Sequence, residues 1–137
     1  MTLYDTDFVT WTNQQVSILR SMPDSTSIDI ERLTDEIEGL GRTAIADLSM
    51  SITQVLSGLI RRSVDPGSIS VEDIYSAQSE AVIRSDAGVW RHVDLDRVWR
   101  LVKRGVDVDL PEACPWSIEQ LIAENFDVAK ALSVLRL

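Results

Sequence analysis

The sequence predicts an all-α protein: a single-domain bundle of about five helices organised on one long central helix. Three observations carry this. Apolar residues recur at Ile30, Leu33, Ile37, Leu40, Ile45, Leu48, Ile52, Val55/Leu56 and Leu59, an average step near the helical repeat of about 3.6 residues. Side chains able to cap free backbone N–H groups stand ahead of the apolar runs, at Asp29, Ser70, Asp94 and Ser117. Alternation of the β type is confined to Val106-Asp-Val-Asp-Leu110, too short to build a sheet. The stripe slips by one residue after Leu40, which favours a packed bundle over an extended coiled coil. The rest of the chain is expected to cover this stripe.

The first helix is expected to start at Asp5 or Thr6 and to run to Met22, where Pro23 ends it, with Phe8, Trp11, Ile18, Leu19 and Met22 near one face. A polar turn, Pro23 to Ser27, leads to Ser27 or Asp29 as the cap of the long helix, which ends around Arg61 to Ser63. Two such helices joined by a short turn pack antiparallel. Within the long helix Gly39 and Gly41 each cost about 1 kcal/mol relative to Ala, so a close helix neighbour or a bend is expected there. Ala46, Ser49, Thr53 and Ser57 form a second stripe of small residues, expected to serve tight internal packing before a dimer interface.

Ser70 with Asp73 opens a shorter helix ending near Arg84. Between Asp86 and Arg104 the apolar residues divide into Val89/Val93 and Leu95/Val98/Trp99/Val102, which point to different sides of a continuous helix, so a break is expected at His92 to Asp94. Gly105 terminates the second piece, and a connection with two prolines follows. Ser117 and Gln120 form a capping box, and Asp127 can cap a last helix to Leu135.

The length of 137 residues suits one domain with a core needing no disulfide or metal. The longest uninterrupted apolar run is far below the ~20 residues of a membrane span, so no membrane helix is expected. The N-terminus carries acid rather than base, unlike a signal peptide, and the lone Cys114 cannot form an internal disulfide; the cytoplasm is the expected compartment. A net charge of −9 argues against nucleic acid as a partner. The charge is uneven: residues 1–60 hold nine acidic and three basic side chains, whereas 84–104 hold six basic and three acidic ones. Arg97, Arg100 and Arg104 are expected to share a helix face with Lys103 adjacent, placed for a partner or for the acidic first half.

Three segments together resemble a bacterial family of helical proteins, domain of unknown function 29. Leu3-Tyr-Asp-Thr-Asp-Phe-Val-Thr-Trp11 and the residues after it are similar to its first motif, Asp29 to Arg42 to its central one, and Leu110-Pro-Glu-Ala-Cys-Pro-Trp116 with its sequel to its terminal one. The resemblance implies a helical fold and no particular activity. Relatives tend to carry a His followed by Leu-Leu-Lys at the end of the long helix, where this chain reads Ser57-Gly-Leu-Ile-Arg-Arg62 with Ser57 at the His position; a site built on the acidic motif and that His would lack half its parts here.

Asp35, Glu36 and Glu38 are the candidate ligands for a divalent metal, set against a solvated acidic face. No Glu-x-x-His pair of the carboxylate-bridged bundles accompanies them. Cys114 as a nucleophile would need His92 as its base, and His92 beside Asp94 and Asp96 could ligate a metal; a small buried cysteine and an exposed histidine are the simpler expectations. Of the four tryptophans at least three are expected in the core, with Trp90 off the main face and, with Arg97, Arg100 and Arg104, the candidate for partner contact. The expectation is therefore a non-catalytic interaction or adaptor module, without cofactor, that binds a protein partner or itself as a homodimer. The alternative is a metal-dependent enzyme or metal-binding protein using Asp35, Glu36 and Glu38.

Overall fold

The computed structural model describes residues 1–23 and 27–135, so the centre of the expected turn, residues 24–26, lies outside the described residues. The fold is all-helical. Two single turns, α1 (Leu3–Thr6) and α6 (Ile118–Leu121), accompany five longer helices: α2 (Phe8–Arg20), α3 (Ile30–Val64), α4 (Val71–Arg84), α5 (Leu95–Lys103) and α7 (Val128–Val134). A 3-10 turn, Val89–His92, lies between α4 and α5, and the expected break falls just after it, at Val93 and Asp94.

The caps form as expected at five of these starts. The side chains of Asp29, Ser70, Asp94 and Asp127 each accept from the backbone N–H three residues on, and Ser117 and Gln120 close a reciprocal capping box. Such bonds need only neighbours in sequence, which is why they are legible there. The first helix departs from expectation. It is broken at Asp7 into α1 and α2, because the Phe8 N–H donates to the Ala87 carbonyl at 2.8 Å instead of continuing the ladder from α1, and Asp7 rather than Asp5 or Thr6 caps α2.

The core gathers on the C-terminal half of α3. Leu48, Ile52, Val55, Leu56 and Leu59 are fully buried, meeting Ile74 and Ala81 of α4, Val98 and Trp99 of α5, and Val128, Ala131 and Leu135 from the end of the chain. α4 runs antiparallel to α3: Ile74, near its start, lies against Gly58, and Arg84, at its end, reaches the Asp47 carbonyl oxygen and Ser51 Oγ. A Cβ on Gly58 would stand 3.0 Å from Ile74 Cγ1. The small residues that admit a close helix are therefore Ser51 and Gly58. The stripe expected in that role is more open: Ala46 is exposed, and Ser49, Thr53 and Ser57 are half-buried. By length and apolar composition α3 passes for a membrane span, but 44% of its apolar window is buried within the protein.

The C-terminal segment has little regular structure and is held by side chains. Buried Gln78 of α4 donates to the carbonyls of Leu121 (3.0 Å) and Ala123 (2.8 Å), and Tyr75 accepts from the Val128 N–H. Trp99 Nε1 and Lys103 Nζ both donate to the Pro111 carbonyl, pinning the proline connection to α5. Trp99 and Trp116 meet edge to face in the core. Trp11 does not join them. It is half-buried in an aromatic group with Tyr4 and Phe8 at the outer end of α2, so two tryptophans rather than three are fully in the core.

Candidate functional site

The expected single stripe on α3 is two rows in the structure. One row, through Gly41, Leu48, Ile52 and Leu59, is buried. The other passes through Leu33, Ile37, Leu40, Ala44, Asp47 and Ser51 at alternating steps of four and three residues, the spacing that keeps side chains on one side of a helix. α4 covers this second row from Gly58 to Asp47 and then ends at Arg84. Beyond that point Leu33 is 38% and Leu40 55% exposed, and Ile37 and Ala44 are half-buried. The apparent slip after Leu40 is the change from one row to the other. Leu33 and Leu40 are thus surface residues, contrary to the expectation that the whole stripe is covered.

A shallow groove adjoins this seam at Leu40 and Ala44, lined also by Asp35, Glu36, Gly39, Thr43 and Asp47, while Leu33 and Ile37 lie outside its lining. Glu38 points to the α2 side, where its Oε1 lies 2.8 Å from Arg20 Nη2 and its Oε2 3.6 Å from Arg42 Nη1. Asp35 and Glu36 thus line the groove, whereas Glu38 is drawn to the α2 side by Arg20 and Arg42, so the three candidate ligands do not converge on one point. Among the described residues no three His, Cys, Asp or Glu side chains gather as a metal-binding group.

A second, polar cleft opens where α2, α3 and the 3-10 turn meet, lined among others by Thr12, Asn13, Glu38, Arg42 and His92. His92 does not sit with Asp94 and Asp96. Its Nε2 lies 2.8 Å from Asp7 Oδ1, while Asp94 is occupied as the cap of α5. Asp7 also accepts from the Thr10 N–H at 3.1 Å. Burial pushes the Asp7 carboxyl up, but the Thr10 N–H and His92 outweigh it, so the group titrates below the ordinary carboxylate range. Nearby, Arg91 Nη1 donates to the Thr6 carbonyl, and Gly88, at φ +72°, leaves room for that same carbonyl where a Cβ would strike it. Together these contacts latch the α4–α5 connection to the start of α2. The pairing of Asp7 with His92 spans 85 residues, and no local pattern in the sequence announces it.

The sign of the Asp7 shift makes a pH prediction. A carboxyl with a lowered folded-state pKa contributes stability that is present above its unfolded pKa of about 3.9 and is lost as pH falls through the folded value. Wild type should therefore exceed Asp7→Asn in urea-melt stability near neutral pH, and the gap should close on acidification. A gap independent of pH would assign the loss to packing instead.

The cleft has no activated nucleophile among the side chains described. The Thr12 hydroxyl donates to the Val9 carbonyl at 2.7 Å. Cys114 is half-buried; burial pushes its thiol up, the Trp116 backbone N–H opposes this, and the Asp96 charge adds to the rise, so little thiolate forms near neutral pH. His92 is engaged by Asp7 rather than by Cys114.

Trp90 is half-buried against the core, with the Arg91 guanidinium 5.0 Å from its ring. Arg97 and Arg100 are exposed on α5. Arg104 is exposed at the C-terminal cap of that helix, where the backbone turns extended. Among the described residues none of these arginines forms an ion pair; the paired cations are Arg20, Arg32, Arg42 and His92. The acidic half of α3 thus keeps its own carboxylates on the seam side.

Fold and surfaces together define an all-α protein built on one long helix whose N-terminal half is covered by α2 on one side and open on the other. The chain belongs to the family described as domain of unknown function DUF29, whose model matches residues 3–85, the span from α1 through α4. The fold is similar to the crystal structure of an alpha-helical protein of unknown function from Rhodospirillum rubrum ATCC 11170, with a TM-score of 0.77 at 19% identity over 97% of each chain. No curated protein matches the sequence.

Proposed function

We propose that this chain is a cytoplasmic, non-catalytic protein-interaction module that receives another helix along the uncovered seam of α3. The observation that supports this reading is the exposure of Leu33 and Leu40 on the very row that α4 occupies further along the helix. Isolated exposed leucines are ordinary. Two on one row, next to half-buried Ile37 and Ala44, make an apolar strip of the kind that helix-in-groove recognition uses. A photo-crosslinking side chain placed at exposed Thr43, in the groove, should give a protein adduct in the host cell. The adduct should be lost with Leu33→Asp/Leu40→Asp and absent from a control position at Glu80 on the outer face of α4. No adduct at Thr43, or an equal one at Glu80, would refute the docking role.

A further inference from the structure

We infer that the occupant of the seam is a basic amphipathic helix of another protein, laid along α3 in line with α4. This rests on the docking role proposed above and adds the chemistry of the partner. The open part of the row runs from Leu33 to Ala44, about 16 Å at 1.5 Å per residue, which is three helical turns and the reach of a partner helix of about 12 residues. α4 shows the packing such a helix adopts on the next stretch of the same row.

Charge selects the partner's class. Asp35, Glu36 and Asp47 line the groove with no basic side chain among its lining residues, whereas Glu38, on the α2 side, is neutralised by Arg20 and Arg42. Arg32 shares a neighbouring hollow with Asp35 and Glu36, and Arg84 reaches the Asp47 carbonyl, but among the described residues no ion pair engages Asp35, Glu36 or Asp47, so the open side keeps a net negative charge. Lysines or arginines flanking an apolar strip complement this surface, and acidic helices are repelled by it.

A second copy is a poorer fit. Its own seam would bring the same carboxylates against each other, like charge against like. Its α5 offers Arg97 and Arg100 but only one exposed large apolar residue, Leu101, against a strip of four.

The test uses the full chain and three side-chain-bridged helical peptides of about 14 residues. The first carries leucine at the four- and three-residue steps with flanking lysine and arginine. The second replaces the basic residues with glutamate. The third has the composition of the first in scrambled order, so that the apolar stripe is lost. By fluorescence anisotropy the basic amphipathic peptide should bind at least about tenfold tighter than either other, more weakly at high salt. Leu40→Asp should abolish this preference without moving the thermal melt, and Glu36→Lys/Asp47→Lys should shift it toward the acidic peptide. Equal binding of the basic and scrambled peptides, or of the basic and acidic ones, would overturn the inference. So would self-association of the wild type in sedimentation equilibrium that Leu40→Asp removes, which would make a second copy the occupant. A protein adduct at Thr43 without basic-peptide preference leaves the docking role standing and removes only the partner's assignment; absence of both removes the two together.

Discussion

Ile52→Ala should destabilise the fold by about 2 to 5 kcal/mol, the range for removing a fully buried branched side chain whose surroundings collapse only in part. Ile52 has no exposed surface and lies among Leu48, Val55, Leu56 and Leu59 at the point where α4, α5 and α7 converge on α3. The natural comparison is Leu40→Ala, which removes a similar side chain from the same helix. Leu40 is more than half exposed, so that change should stay within about 0.5 kcal/mol. Urea melts of the two variants read the difference directly. A loss below about 1 kcal/mol for Ile52→Ala would mean that the buried row of α3 is misplaced.

Gly41→Leu should also destabilise, by up to about 2 kcal/mol net, even though leucine is the better helix former. Propensity returns about 0.8 kcal/mol, while forcing atoms into a filled space costs about 1 to 3 kcal/mol. The space is filled by Thr12: a Cβ on Gly41 would lie 2.7 Å from Thr12 Oγ1, and Thr12 is itself buried with its hydroxyl tied to the Val9 carbonyl. In a Thr12→Ala background the penalty should shrink, because the two positions share one contact and their effects couple. Gly39→Ala supplies the opposite sign. The nearest atom to a Cβ there is Arg42 Nη2 at 3.9 Å, so the substitution should stabilise by up to about 1 kcal/mol. Stabilisation by Gly41→Leu as well would show that α2 does not pack as closely as described.

The contrast between these two glycines also marks how far the sequence could be read. Both stood out as costly inside a helix, and both invited the same explanation, but only Gly41 faces α2. Nothing within a few residues of either distinguishes them, since the distinction depends on which side the preceding helix takes. The same holds for Leu33 and Leu40, which share the chemistry and period of Leu48 and Ile52. They differ in lying on the adjacent row and beyond the end of α4, the helix that covers that row further along. The latch of Asp7 to His92 and the grip of Gln78 on the Leu121 and Ala123 carbonyls join residues 85 and more than 40 positions apart. Chain neighbourhood groups His92 with Asp94 and Asp96, whereas the carboxylate it meets, Asp7, comes from the first turns of the chain.

What the sequence by itself determined is the helical class, the long central helix, the break before Asp94 and the caps at Asp29, Ser70, Asp94, Ser117 and Asp127. All of these follow from bonds and periodicities that close within a turn or two of backbone. The motifs it carries also placed the chain in its family. Only the tertiary structure decided which apolar residues are core and which are surface. An α-helix can present apolar side chains on two adjacent rows, and the row that becomes interior is set by the lengths and positions of the helices laid against it. Here α4 stops at Arg84, opposite Asp47 and Ser51, and so leaves the three turns from Leu33 to Ala44 open to solvent.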